Sequence, residues 1–266
     1  MKFKSIAFHH FGCKVNFAEA SSLSRTFRDA GIELRDFHEL ADVYVISTCV
    51  VTSVAEKKCR AAIRQAHKLN PHARIAVIGC FSELKPGELQ QMEGVDLVLG
   101  HSGKFRLFEE LEQLDRQGVS TAPDSSPGQL PAAAANDEFE HDYHGGVLPE
   151  KNGGRDIFVP SFSYGDRTRS FLKIQDGCDY YCTYCTIPLA RGRSRSDTIA
   201  NAVLNANEII ANGIKEIILT GVNIGDFGRQ NGESFGQLIH ELDKIEGISR
   251  IRISSIEPDL LSGDII

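Results

Sequence analysis

Gly177-Cys178-Asp179-Tyr180-Tyr181-Cys182-Thr183-Tyr184-Cys185 carries three cysteines spaced C-x3-C-x2-C. Ahead of it, Ser170-Phe171-Leu172-Lys173-Ile174-Gln175 reads as a short strand. Behind it come Ile187-Pro188 and an arginine-rich run. The three thiols therefore share one tight loop at the end of a strand. Three close thiolates can hold three corners of a cubane iron–sulfur cluster, which ordinarily takes four protein cysteines. No cysteine follows Cys185, so one iron would stay open to a substrate-like molecule. A zinc knuckle is the competing reading. It needs a fourth ligand, from Asp179 or a distant histidine, and ordinarily comes as paired C-x2-C units.

Downstream of this loop, residues 198–211 read as a helix, 216–220 as a strand, 235–245 as a helix and 250–254 as a strand. With 171–175 this is a βαβαβ series, the unit of (β/α) barrels, whose sites sit where strands end. Upstream the alternation is similar. Strands are expected at 3–8, 42–47, 74–79 and 95–99. Helices are expected at 17–30 (capped by Asn16 and closed by Gly31), 53–69 and 105–114, with a short one opened by Pro86. Strands alternating with helices predict a parallel, doubly wound sheet. Between the two units, residues 118–163 hold Pro, Ala, Gly and acidic residues without apolar periodicity and read as a flexible linker or insertion. His141 and His144 within it read as solvated loop histidines.

Three further cysteines follow three of the upstream strands: Cys13, Cys49 and Cys80. In a parallel sheet all three emerge at the carboxyl edge, where open α/β sheets bind ligands, so the thiols are expected to converge. Cys59 falls inside a helix and reads as a small core residue. The seven cysteines are an odd number for a disulfide framework. The first eight residues read as a strand rather than a signal peptide, and no stretch approaches a transmembrane span. A reducing, cytoplasmic setting follows, with cysteines used for metal or chemistry. The net charge of −7 excludes a polycationic nucleic-acid binder but leaves room for a local basic patch.

The loop motif, with Tyr184 before its last cysteine, resembles that of the radical S-adenosylmethionine enzymes. With the three dispersed amino-terminal cysteines added, the chain resembles the methylthiotransferases within that group. The likeness runs through Gly12-Cys13-Lys14-Val15-Asn16 with Glu19, Ser47-Thr48-Cys49-Val50-Val51-Thr52, Gly79-Cys80 and the 177–185 loop. It continues through Ala190 to Ser196, Leu219-Thr220-Gly221-Val222-Asn223-Ile224-Gly225 and Ser254-Ser255-Ile256-Glu257-Pro258. Gly-Cys-Lys-Val-Asn at the first cysteine looks like the branch acting on N6-threonylcarbamoyladenosine beside the tRNA anticodon. The isopentenyl-adenosine branch shows Gln, and the ribosomal-protein aspartate branch Pro, at the position of Lys14.

The resemblance implies a fold of an α/β amino-terminal domain (1–117), the linker (118–163) and a radical S-adenosylmethionine partial barrel (164–266), truncated relative to the family's barrel and lacking its RNA-binding domain. It implies two 4Fe-4S clusters. Cys178, Cys182 and Cys185 would hold the one that cleaves S-adenosylmethionine, and Cys13, Cys49 and Cys80 the auxiliary one that delivers sulfur. Tyr184, Thr220 and Asn223 are the implied S-adenosylmethionine contacts, against packing for Tyr184 and turn chemistry for the other two. The implied activity replaces the hydrogen on C2 of the adenine with a methylthio group by radical chemistry, on tRNA, with electrons from a reductant such as flavodoxin or ferredoxin. A methylthiotransferase for isopentenyl-adenosine or for a ribosomal-protein aspartate is an alternative, as is a non-catalytic electron-transfer protein. Arg191, Arg193 and Arg195 could meet tRNA phosphates or pair with carboxylates near the site.

Overall fold

The computed structural model describes residues 3–49, 52–117, 157–165, 168–261 and 263. The first unit runs β1 (Ser5–His10), α1 (Lys14–Asp29), β2 (Glu33–Arg35), β3 (Val43–Thr48), α2 (Ser53–Leu69), β4 (Arg74–Gly79), α3 (Cys80–Leu84), α4 (Pro86–Gln90), β5 (Val95–Leu99) and α5 (Leu107–Gln117). Its strands are parallel in the order β2-β1-β3-β4-β5, one of the two common doubly wound orders. The middle strands are largely apolar runs, buried at every residue of β3 and at every residue of β4 but Arg74, as strands covered on both faces must be. Alternate residues face opposite layers. Tyr44, Ile46, Ile75 and Val77 pack with α2, α3 and α4 residues such as Ile63, Phe81 and Leu89. Val43, Val45, Ala76 and Ile78 pack with Leu23 and Phe27 of α1 and Leu107 and Leu111 of α5.

The second unit runs β6 (Ser161–Phe162), β7 (Ser170–Lys173), β8 (Gln175–Asp176), α6 (Ile187–Arg191), β9 (Arg195–Ser196), α7 (Ile199–Ala211), β10 (Glu216–Thr220), α8 (Phe235–Asp243) and β11 (Arg250–Ile253). Its main sheet has the order β11-β10-β7-β6, with β6 antiparallel and the others parallel. Helices α7 and α8 cover one face, packing Ala202, Ala206, Ile209, Leu238 and Leu242 against Leu172, Ile217 and Leu219. A side-chain cap starts each: Thr198 on α7, and the Ser234–Gln237 capping box on α8. Helix α1 of the first unit packs against the other face of the sheet. Phe17 and Ala18 meet Phe171 and Ile218, with the Phe17 and Phe171 rings edge to face at 5.4 Å. Ser22 Oγ and Phe162 exchange hydrogen bonds, and Arg25 donates to the Phe162 carbonyl while lying over its ring. One helix thus serves two sheets.

Several sequence expectations change. Helix α1 starts at Lys14 with Cys13, not Asn16, at its N-cap. Asn16 is instead buried in the first turn, its amide donating to the carbonyls of Phe11 and Thr48. The expected strand 171–175 divides, because Gln175 and Asp176 leave the sheet to pair with β9. The short strands β2 and β6 carry too few residues to show a period. Of the expected linker, residues 118–156, with His141 and His144, lie outside the described residues, and Ser161–Phe162 form β6. Among the described residues no helix is long and apolar enough to cross a membrane.

Candidate functional site

The amino-terminal trio sits at the carboxyl ends of three neighbouring strands. His10 of β1 pairs with Ser47 of β3, and Thr48 of β3 pairs with Gly79 of β4, so the strand ends are level. Cys13 caps α1, Cys49 follows β3 and Cys80 opens α3; Cys13 is exposed and the other two are buried. Gly12 has φ +105°, and a Cβ there would lie 2.8 Å from Cys49 Cβ and 3.1 Å from its Sγ. The turn carrying Cys13 therefore lies directly against Cys49. Burial pushes the Cys80 thiol up, Arg191 and Lys104 pull it down, and Cys13 pushes it up again, which places those groups within electrostatic reach of one another. Cys59 is fully buried in the core, as expected, and burial raises its thiol to about 11.

The second trio hangs from the short β8–β9 pair. Gly177 has φ +69°, and the Cys178 N–H donates to the Gly192 carbonyl. The Cys185 N–H donates to the Cys182 carbonyl, closing a turn. Cys178 and Cys185 are half-buried and Cys182 is exposed. Gln175 ties this loop to the turn after β10. Its Nε2 donates to the Gly177 carbonyl at 2.8 Å and to Ser194 Oγ at 3.0 Å; its Oε1 accepts from the Val222 and Asn223 N–H groups. Thr220 is buried at the end of β10. Asn223 is buried too, its side chain donating weakly to Asp226 and accepting from the Glu257 N–H. Tyr184 is 89% exposed and packs on little. Tyr180 donates to Asp226. Beside the loop opens a cavity of about 350 Å³ lined by Asp179, Tyr180, Ser194, Arg195, Asp226 and Arg229, among others.

Between the trios lies a buried ion network. Glu19 of α1 accepts from Lys104 at 2.6 Å, Lys173 at 2.8 Å and Arg191 at 3.2 Å. Asp176 of β8 accepts from Arg191 at 2.7 Å, Lys173 at 2.9 Å and Arg195 at 3.1 Å. Arg191 also donates to Asn16. His101 faces Asp176 at 3.1 Å and Lys104 at 3.0 Å. Burial alone would raise both carboxyls; Arg191, Lys104 and Lys173 instead hold Glu19 well below the usual carboxylate range, and Lys173 and Arg191 do the same for Asp176. Burial, then Lys104, push His101 down to about 3, so its ring is neutral. Glu19, His101 and Asp176 come close enough to suggest a metal site, but Lys and Arg side chains already occupy the carboxylates. Arg191 and Arg195 are thus committed to carboxylates, which settles for them the choice left open by the sequence; Arg193 is exposed.

The donor set of each trio, three cysteine thiols with no disulfide among them, is of the kind that holds an iron–sulfur cluster. Each has thiols of mixed exposure beside backbone turned by a left-handed glycine; a side chain in place of Gly12 would press on Cys49, and one in place of Gly177 would strike the Arg193 carbonyl beside the second loop. Sequence reasoning missed Gln175, Asp176, His101, Lys104 and Lys173. The available signal was Lys173 and Gln175 interrupting an otherwise apolar strand, since a charge buried in a strand needs a partner.

The model of "Uncharacterized protein family UPF0004" matches residues 5–100. The threonylcarbamoyladenosine tRNA methylthiotransferase MtaB of Bacillus subtilis is 38% identical over 264 residues, 98% of this chain and 53% of that protein. Its counterpart in Aquifex aeolicus is 34% identical, over 94% of this chain and 56% of that protein. By sequence, the chain is similar over nearly its whole length to methylthiotransferases named MtaB. It spans about half the length of the curated relatives it matches. Among solved structures, the radical S-adenosylmethionine methyltransferase TsrM of Kitasatospora setae, bound to tryptophan and a SAM analog, matches with a TM-score of 0.53. Identity is 17%, over 98% of this chain and 61% of that one, a likeness of fold. The chain thus joins a doubly wound parallel sheet to a second α/β unit, with a likeness of fold to that enzyme over nearly its whole length.

Proposed function

We propose that this MtaB-like protein is a tRNA methylthiotransferase that converts N6-threonylcarbamoyladenosine beside the anticodon to its 2-methylthio derivative. The observation carrying the reading is the pairing of two cysteine trios, each at a strand-end edge, in a chain related over nearly its whole length to proteins named for that activity. In this reading residues 1–117 form the auxiliary-cluster domain, 118–163 the linker and 164–266 the radical core. Cys13, Cys49 and Cys80 hold one 4Fe-4S cluster, and Cys178, Cys182 and Cys185 hold the other. When bound, the clusters and S-adenosylmethionine supply the radical and the sulfur that no acid or base can supply at an unactivated C–H bond.

The chain's own residues bind, orient and shield. Gln175 fixes the cysteine loop against the turn bearing Thr220 and Asn223, which face S-adenosylmethionine in this reading. Asn223 is engaged through its side chain, by Asp226 and the Glu257 N–H, and through its backbone, by Gln175 Oε1 and the Asp226 N–H, so it acts in this reading by holding the turn in place. Tyr184, exposed beside Cys185, is available to lie against an adenine. The target base, in a loop of the tRNA, can be splayed out toward the cleft. The reductant is a flavodoxin or ferredoxin, and the setting is cytoplasmic.

The test is nucleoside mass spectrometry of tRNA incubated with the anaerobically reconstituted protein, S-adenosylmethionine and reductant. Appearance of 2-methylthio-N6-threonylcarbamoyladenosine is expected. Methylthiolation of isopentenyl-adenosine instead would overturn the substrate assignment. No methylthio nucleoside from an iron-loaded protein would favour the electron-transfer alternative.

A further inference from the structure

Arg191 physically joins the two cysteine sites. Its guanidinium bonds Asp176, two residues before Cys178, and also Asn16 and Glu19, in the first turns of the helix that Cys13 caps. Its neighbour Ala190 packs in the same apolar cluster as Cys80. The network around it is unbalanced. Lys104, Lys173, Arg191 and Arg195 are four cations; Glu19 and Asp176 are two carboxylates; His101 is neutral. Four less two leaves a surplus of two positive charges on side chains at most a few per cent exposed. Among the described residues no other carboxylate forms an ion pair with these four cations. Buried like charge without compensation is costly. Asp197, also buried, lies within electrostatic reach of Lys173; at Arg191 itself the groups left to offset the surplus are thiolates, since Cys80 and Cys13 both lie within electrostatic reach of it, and Cys80 also of Lys104.

We propose that this cationic surplus, centred on Arg191, is the counter-charge of the amino-terminal cysteine site, and that Arg191 is a positioning residue that raises the reduction potential of the cluster held there. The inference rests on the two-cluster reading above. One electron entering a thiolate-ligated cluster adds one negative charge, and a fixed buried cation stabilises the product more than the reactant. Glu19 acts in the opposite sense, because it cancels part of the surplus. The two residues therefore make opposite predictions from one cause, which damage to the fold would not.

The experiment uses the whole chain, reconstituted with iron and sulfide, in a Cys178→Ala/Cys182→Ala/Cys185→Ala background that leaves only the amino-terminal site. Electron paramagnetic resonance follows a redox titration with dithionite as reductant. Arg191→Met is expected to lower the midpoint by at least tenfold in the reduction equilibrium, about 59 mV for one electron. Glu19→Gln is expected to raise it, and Arg191→Lys to keep it near the parent. Midpoints that stay together, or that move in the same direction for Arg191→Met and Glu19→Gln, overturn the inference. Should Arg191→Met not fold, Glu19→Gln decides alone: an upward shift supports the inference and an unmoved midpoint overturns it. Absence of iron from the parent background removes the two-cluster reading, and this inference with it. Iron present with unmoved midpoints removes only the inference.

Discussion

An alanine at Gly177 would place its Cβ 1.9 Å from the Arg193 carbonyl oxygen. Backbone on both sides of that contact is held by the β8–β9 pairing, so neither side can yield cheaply. The left-handed conformation adds about 1–2 kcal/mol for any residue with a Cβ. Gly177→Ala is therefore expected to empty the 177–185 loop of iron while the amino-terminal site stays loaded, a fall from about eight to about four irons per chain by metal analysis. His101 gives the pH dependence. Its folded pKa, about 3, lies below its unfolded value of 6.5, so the folded state favours the neutral ring. That contribution is complete above pH 6.5 and declines as pH falls toward about 3, because the unfolded chain takes up the proton first. Urea unfolding across this range should show a shallower loss of stability for His101→Gln than for the parent; parallel profiles would contradict the assignment. The cysteines were legible in the sequence because Cys13, Cys49 and Cys80 each come just after an expected strand and Cys178, Cys182 and Cys185 share one spacing motif. The ion network was not. Arg191 and Glu19 are 172 positions apart, and only the packing of α1 against both sheets makes them neighbours.

At the scale of elements, periodicity and end signals did most of the work. Helix α2 matches its expected span, 53–69, which Asn70-Pro71 ends; the cap by Thr52 is what the structure adds. Thr52 Oγ1 accepts from the Ala55 N–H at 3.1 Å. Thr52→Ala should cost about 1 kcal/mol, read by denaturant unfolding, with iron content unchanged. Helix α1 was harder. Asn16 has the chemistry of a cap, but its amide is drawn inward by the Phe11 and Thr48 carbonyls, and the helix begins earlier at Lys14. The turn of β8 out of the main sheet was invisible for a related reason. Nothing local in Ile174-Gln175-Asp176 separates a strand that continues from one that pairs with β9, twenty residues onward.

For the whole molecule, α1 and the buried network make one body of two units. Glu19 receives three cations from two units, so its removal leaves Lys104, Lys173 and Arg191 facing one another without water. Glu19→Ala should destabilise the chain by about 3–5 kcal/mol, the usual cost of breaking a buried pair from one side. Loss of cooperativity between the two units in calorimetry would accompany it. An effect below about 1 kcal/mol, typical of exposed pairs, would contradict the burial of this network. The sequence showed two strand-rich units and two cysteine trios, but not how they meet, because the residues that join them are charged and look like solvated surface until the fold buries them.

Two iron–sulfur sites in one chain, as proposed, would fix the metal content of the protein. Iron and acid-labile sulfide per chain would be measured after anaerobic reconstitution, for the parent and for Cys13→Ala/Cys49→Ala/Cys80→Ala. About eight irons in the parent and about four in the variant are predicted. About four in both would remove the amino-terminal site from the account, and zinc in place of iron would contradict it altogether.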